Sequence, residues 1–288
     1  MKIINMLDDY AKMCSDAKKI GKFEAYEQYT KKHPKLFDGV FKYLYMTDIS
    51  NLRQMIEQCD FDSFLAVGEK NIKNGVIKLI ENIAAKTAEL LNYNDDFNVY
   101  IGLEMGKIGG TASVGEPEFL TEQATPFVYF GVDREVGEKE LSYLIPHELN
   151  HMIRGKNLGV DLFDFTERVI SEGLGTYCPV VLHGNDNKTD AEIIAGAMFI
   201  PLEKAKNLLR NRDELEKAVT AEFGTPMTAE KMSEFFTCQD PGEEYPLKGY
   251  FIGMCIISDL VKKGHALSEL TVMPVQNILQ SYSVLQKP

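Results

Sequence analysis

His147-Glu148-Leu149-Asn150-His151 spells H-E-x-x-H within a strongly helical segment, Lys139–Arg154. On an α-helix, positions four apart lie about 40° apart around the axis and one turn along it. Two imidazoles so placed can reach one Zn²⁺ at about 2.0–2.1 Å. Glu148 projects about 100° away from His147, too far round to be an easy ligand. It is well placed to hold and deprotonate a metal-bound water. With five histidines in 288 residues, chance produces this pattern in on the order of 1 sequence in 100 of this composition. The competing account is a pair of histidines on an amphipathic helix with no metal. Leu141, Leu144, Ile145 and Leu149 already supply the apolar stripe, so the helix is expected to be buried. Burying two unpaired imidazoles is costly.

A catalytic zinc needs a third protein ligand and an open fourth position. The metzincin pattern places glycine and histidine where Arg154 and Asn157 stand, so that class is excluded. A second helix is expected over Phe163–Cys178, with Asp164, Glu167 and Glu172 as its carboxylates. Glu172 is flanked by Val169, Ile170 and Leu174, and followed by Gly173 and Gly175. Glycine is a poor helix residue. Its use here fits a helix that presses against the first and carries Glu172 to the metal. An ordinary helix acid beside two glycines remains the alternative.

The elements that must position these groups follow from periodicity. The first ninety residues read as successive helices: Ile4, Leu7, Tyr10, Ala11 and Cys14 recur at helical spacing, then Phe23, Tyr26 and Tyr29. His33-Pro34 ends that stretch. Segments around Leu36–Met46 and Ile49–Cys59 follow, then a long helix over Phe61–Leu91. Strands are expected at Phe97–Met105 and Phe127–Phe130. Between them, Gly106-Lys107-Ile108-Gly109-Gly110 lacks the Lys-Ser/Thr pair of a phosphate loop and reads as a turn or flap. Helices return from Glu138 onward. Two short strands among many helices predict an α+β fold dominated by helix.

Composition narrows the function. Lys and Arg number 31 against 43 Asp and Glu, a net charge of −12 that argues against nucleic-acid and anionic-membrane partners. The five cysteines, Cys14, Cys59, Cys178, Cys238 and Cys255, form no C-x-x-C pair and read as apolar packing residues in a reducing compartment. Asp8 and Asp9 interrupt what a signal peptide needs as an apolar core, and no apolar run approaches the ~18 residues of a membrane span. A cytoplasmic protein is expected. No Ser-His-Asp or Cys-His nucleophile pattern is present. Of the other histidines, His33 reads as a surface residue, His183 as a group that can stand behind the metal ligands, and His265 as a helix C-terminal residue.

H-E-L-N-H followed by Ser171-Glu172-Gly173-Leu174-Gly175-Thr176-Tyr177 resembles the Glu-zincin metallopeptidases. More narrowly, the chain resembles the YjaZ-like family of predicted zinc-dependent proteases. Leu144 to His151, Ser171 to Gly175, and Lys248-Gly249-Tyr250-Phe251-Ile252-Gly253 carry that resemblance, which runs from Phe97 to the C-terminus. It implies a zincin-like domain over 93–288 and does not account for the helical region that periodicity gives over 1–92. It implies one Zn²⁺ per chain held by His147, His151 and Glu172, Glu148 as the base, and a peptide or protein substrate. It implies that Phe127–Phe130 is an edge strand on which an extended peptide can add. Zincins of this type add an oxyanion donor well downstream, and Tyr250 is the candidate, with Tyr245 and Tyr177 behind it. The sequence departs at Thr176, where thermolysin-type relatives place an acid that orients a histidine. A non-catalytic zinc-binding regulatory protein and a hydrolase of non-peptide amides are the alternatives; the intact Glu148 argues against the former.

Overall fold

Val99, Ile101, Val128 and Phe130 are fully buried β-formers, and they occupy adjacent strands of one small sheet. The computed structural model describes residues 1–41, 47–103, 105, 109–113, 125–134, 137–184, 187–237 and 242–285. Its strands are β1 (Lys2–Asn5), β2 (Asn98–Gly102), β3 (Gly110–Ala112) and β4 (Phe127–Gly131), in the order β1-β2-β4-β3. The pairs β1–β2 and β2–β4 are parallel, while β3–β4 is antiparallel. Parallel neighbours need a crossover connection. Between β1 and β2 the described residues form six α-helices: α1 (Leu7–Ile20), α2 (Lys22–Thr30), α3 (Pro34–Gly39), α4 (Arg53–Gln58), α5 (Phe61–Lys73) and α6 (Val76–Leu90). Tyr10, Tyr26, Tyr29, Phe37 and Phe61 pack there as a buried aromatic cluster.

After the sheet come α7 (Glu138–Leu158), α8 (Phe165–His183), α9 (Asp190–Ala197), α10 (Leu202–Arg210) and α11 (Arg212–Thr220). The chain continues through α12 (Ala229–Phe236), α13 (Lys248–Lys262), α14 (Leu267–Thr271) and α15 (Val275–Leu285). Helix α7 packs against β3, β4, α6 and α8, and α8 lies in turn against α13. The fold is α+β and dominated by helix, as the sequence predicts.

Four details differ from the sequence reading. Ile4 belongs to β1, not to a helix, while Leu7, Tyr10 and Cys14 do line the buried face of α1. A four-residue strand is too short to show a period of its own, and its pairing with β2 is what defines it. That pairing crosses the expected boundary at residue 92. The long helix of 61–91 is two helices, because Gly75 adopts a left-handed φ of 90° between α5 and α6. Phe127–Phe130 is an interior strand, with β2 on one side and β3 on the other. All five residues of β4 are buried, which explains its continuous apolar run. The edge next to α7 is β3.

Gly106, Lys107 and Ile108 of the glycine stretch lie outside the described residues, as does Cys238; Gly110 opens β3. Cys14, Cys59, Cys178 and Cys255 form no disulfide among the described residues, and burial pushes the thiol pKa of Cys14 up to about 11 and that of Cys178 up to about 12. No helix among the described residues is long and apolar enough to cross a membrane.

Candidate metal centre

Helix α7 carries Pro146 immediately before His147. Proline has no N–H to give the carbonyl four residues earlier, that of Ser142. His183, at the end of α8, donates to that carbonyl through Nε2 at 2.7 Å. This bond ties the two helices together on the outer side of the site. It also places His183 away from the ligands, contrary to the role the sequence suggests for it. His265 follows the C-terminus of α13, and His33 lies 3.2 Å from Asp9.

On the inner face, His147 and His151 bring their Nε2 atoms to 2.9 Å, with ring planes 82° apart. Glu172 Oε2 lies 3.3 Å from each of them. Donors bound tetrahedrally at about 2.0–2.1 Å stand roughly 3.3 Å from one another. Glu172 is only 4% exposed, and its Oε2 has no hydrogen-bond partner among the described residues. A buried carboxylate oxygen facing two imidazole nitrogens makes a donor set that fits a cation. His147, His151 and Glu172 are a group that can hold a metal ion.

The three carboxylates that the sequence places on this second helix thus have three separate fates. Asp164 caps the helix, accepting from the Glu167 N–H at 2.8 Å. Glu167 receives Arg154 through both oxygens, at 2.6 and 3.1 Å. Arg154 is 0% exposed and also donates to the carbonyls of Thr271 and Met273, so it pins α7 to α8 and to the end of α14. Only Glu172 faces the histidines.

The two glycines after it face different partners. A β-carbon on Gly175 would come 2.9 Å from Nδ1 of His147, so Gly175 permits the approach to α7 that the sequence suggests. Gly173 turns the other way, onto Gly253 of α13. Sequence reasoning missed Arg168, whose Nε ion-pairs with Glu172 Oε1 at 2.9 Å. It stands one turn before Glu172 on the same helix face, so the i, i+4 spacing carried the signal.

Charges set the ionisation of the cluster. Burial alone would raise the Glu172 carboxyl, but Arg168 and His151 more than offset it and hold it well below the usual carboxylate range. Burial opposes a charged His147, yet the carboxylates of Glu172 and Glu148 raise its pKa. Glu148 is raised, chiefly by burial, which suits a proton acceptor.

Two cavities meet here, and His147, Glu148 and Tyr250 line both. The smaller, about 240 Å³, runs between α7 and β3 and includes Thr111, Arg168 and Glu172. Gly110 opens β3 so close to α7 that a β-carbon there would lie 2.9 Å from Cγ of Glu148. The larger, about 530 Å³, runs toward α9 and α12 and includes Thr176. Tyr250, in the first turn of α13, stacks toward His147 at 6.4 Å between ring centroids. Its phenol is pushed up by burial and then by Glu172. Tyr177 lines a separate small cavity with Arg212 and Cys255. The cleft therefore gathers His147, Glu148, His151, Glu172 and Tyr250 from three helices. No family model, curated protein or solved structure matches the chain.

Proposed function

We propose that the chain is a zinc-dependent metallopeptidase of the Glu-zincin type, in keeping with its resemblance to the YjaZ-like family. The observation that carries this reading is the trio of donor atoms at 2.9, 3.3 and 3.3 Å, with Glu148 beside it in an open cleft. His147, His151 and Glu172 would hold the ion, and Arg168 fixes the second oxygen of Glu172. Bound zinc supplies Lewis acidity, acidifying water and polarising a carbonyl. Glu148 orients the attacking water, takes its proton and returns that proton to the leaving amine. The half-buried Tyr250 keeps its phenolic proton and donates a hydrogen bond to the developing oxyanion. An extended peptide adds along β3, the edge strand that lines the smaller cavity. Metal binding alone has no use for a carboxylate placed as Glu148 is, so a purely structural zinc site explains less.

Elemental analysis with peptide-library cleavage tests the proposal. About one zinc per chain is expected, together with hydrolysis of peptide bonds. Glu148→Gln should keep the zinc and lose about 10²-fold or more in turnover. Protein that takes up no zinc, or a zinc-loaded protein that cleaves no peptide, overturns it.

A further inference from the structure

Helices α7 and α8 are tied together on both sides of the donor trio. Toward one end, Arg154 donates to both oxygens of Glu167. In the middle, His147 and His151 face Glu172. Toward the other end, His183 Nε2 lies 2.7 Å from the Ser142 carbonyl oxygen. Partners of rising number on α7 meet partners of falling number on α8, so the helices run antiparallel. The ties are unequal. Arg154 is 0% exposed and also holds the carbonyls of Thr271 and Met273, whereas the His183 bond is exposed.

Both helices lack a rung between the donors and the His183 bond. Pro146 leaves the Ser142 carbonyl of α7 without its intrahelical N–H, and Pro179 does the same to the Gly175 carbonyl of α8. A helix bends most readily where proline breaks its ladder. In α7 the missing rung belongs to the turn that leads straight into His147. His183 brings an N–H to the same carbonyl that Pro146 deprives of one. A carbonyl only accepts, so the imidazole must carry its proton on Nε2. Tyr143, the next residue of α7, lies against that imidazole with ring centroids 5.6 Å apart and planes at 39°. This contact holds the imidazole over the gap.

We infer that His183 is a positioning residue for the metal centre. By replacing the N–H that Pro146 lacks, it fixes the turn entering His147, and with it the distance from that imidazole to Glu172. His183 acts on the ligands through the backbone of α7. The inference rests on the metal-binding part of the metallopeptidase reading and needs no turnover.

Zinc competition titrations on the full chain test it, together with visible absorption spectra of the cobalt-substituted protein. A bond that served folding alone would move neither reading in the folded protein. His183→Ala should weaken zinc binding by about three- to tenfold, the worth of one exposed hydrogen bond, and alter the cobalt spectrum. His183→Gln, whose amide N–H can reach the same carbonyl, should stay within about twofold of wild type. Pro146→Ala returns a backbone N–H to Ser142. On that background His183→Ala should cost less than about twofold, because the two donors serve one acceptor.

An unchanged zinc affinity and cobalt spectrum in His183→Ala overturns the inference. So does an equal loss with Pro146 present or replaced. Should Pro146→Ala fail to fold, a His183→Gln protein as weak as His183→Ala overturns it as well. A wild-type chain that takes up no zinc overturns the metal reading and this inference together. Zinc binding that depends on His183 only while Pro146 is present, in a protein that cleaves no peptide, supports the inference and overturns the peptidase alone.

Discussion

Gly173 of α8 and Gly253 of α13 meet backbone to backbone. A β-carbon on Gly173 would lie 2.2 Å from the Gly253 carbonyl carbon, and one on Gly253 would lie 2.1 Å from the Val169 carbonyl oxygen. Glu172 adjoins one glycine and Tyr250 lies a turn before the other, so this crossing sets how far apart those two side chains stand. Either glycine replaced by alanine must push the helices apart. Gly173→Ala and Gly253→Ala should each lower stability by about 1–3 kcal/mol in urea unfolding and weaken zinc binding in a competition titration. Wild-type values for both would mean that the crossing relaxes freely.

The fates of Glu167 and Glu172 predict two different failures. Glu172→Ala should abolish stoichiometric zinc in elemental analysis. Glu167→Ala leaves the fully buried Arg154 without its carboxylate, which should remove about 3–5 kcal/mol of stability. Its folded fraction should still bind zinc. If Glu167→Ala empties the site while Glu172→Ala does not, the ligand is misassigned.

Arg168 and a bound cation would both compensate the charge of Glu172. Arg168→Gln should therefore lower the thermal midpoint of the metal-free protein, because the carboxylate loses its ion pair. Zinc should then raise the midpoint further in Arg168→Gln than in wild type. A zinc-induced rise no larger than wild type's would separate Arg168 from the metal centre.

Tyr250→Phe removes the phenolic donor and keeps the ring that faces His147 and Phe236. Turnover of a cleaved peptide should fall by roughly 10–10³-fold in kcat, with KM and zinc content little changed. An unaltered kcat in the zinc-loaded variant would assign Tyr250 to packing.

Much of the site is legible in the sequence because it is local. Helical geometry alone sets His147 and His151 one turn apart and swings Glu148 out of the ligand set; the side-chain rotamers then bring the two Nε2 atoms to 2.9 Å. The strand at β4 is legible too, since Phe127-Val128-Tyr129-Phe130 is apolar without interruption. Apolar periodicity runs on across Asn74 and Gly75, which hides the break between α5 and α6. Four residues of β1 carry no pattern that separates a strand from a helix start.

By itself, the sequence determined the helix-dominated α+β class and the spacing of the two histidines and Glu148, because these depend on backbone geometry within about a turn. Only the tertiary structure decided which α8 carboxylate faces the histidines, since Arg154 takes Glu167 from a different helix. Only it turned Gly173 toward α13 and Gly175 toward His147. It also made β3 the edge of the sheet, with β4 inside. Each of these depends on which surface lies opposite a residue. That is settled by packing between elements far apart in the chain, and no short-range pattern encodes it.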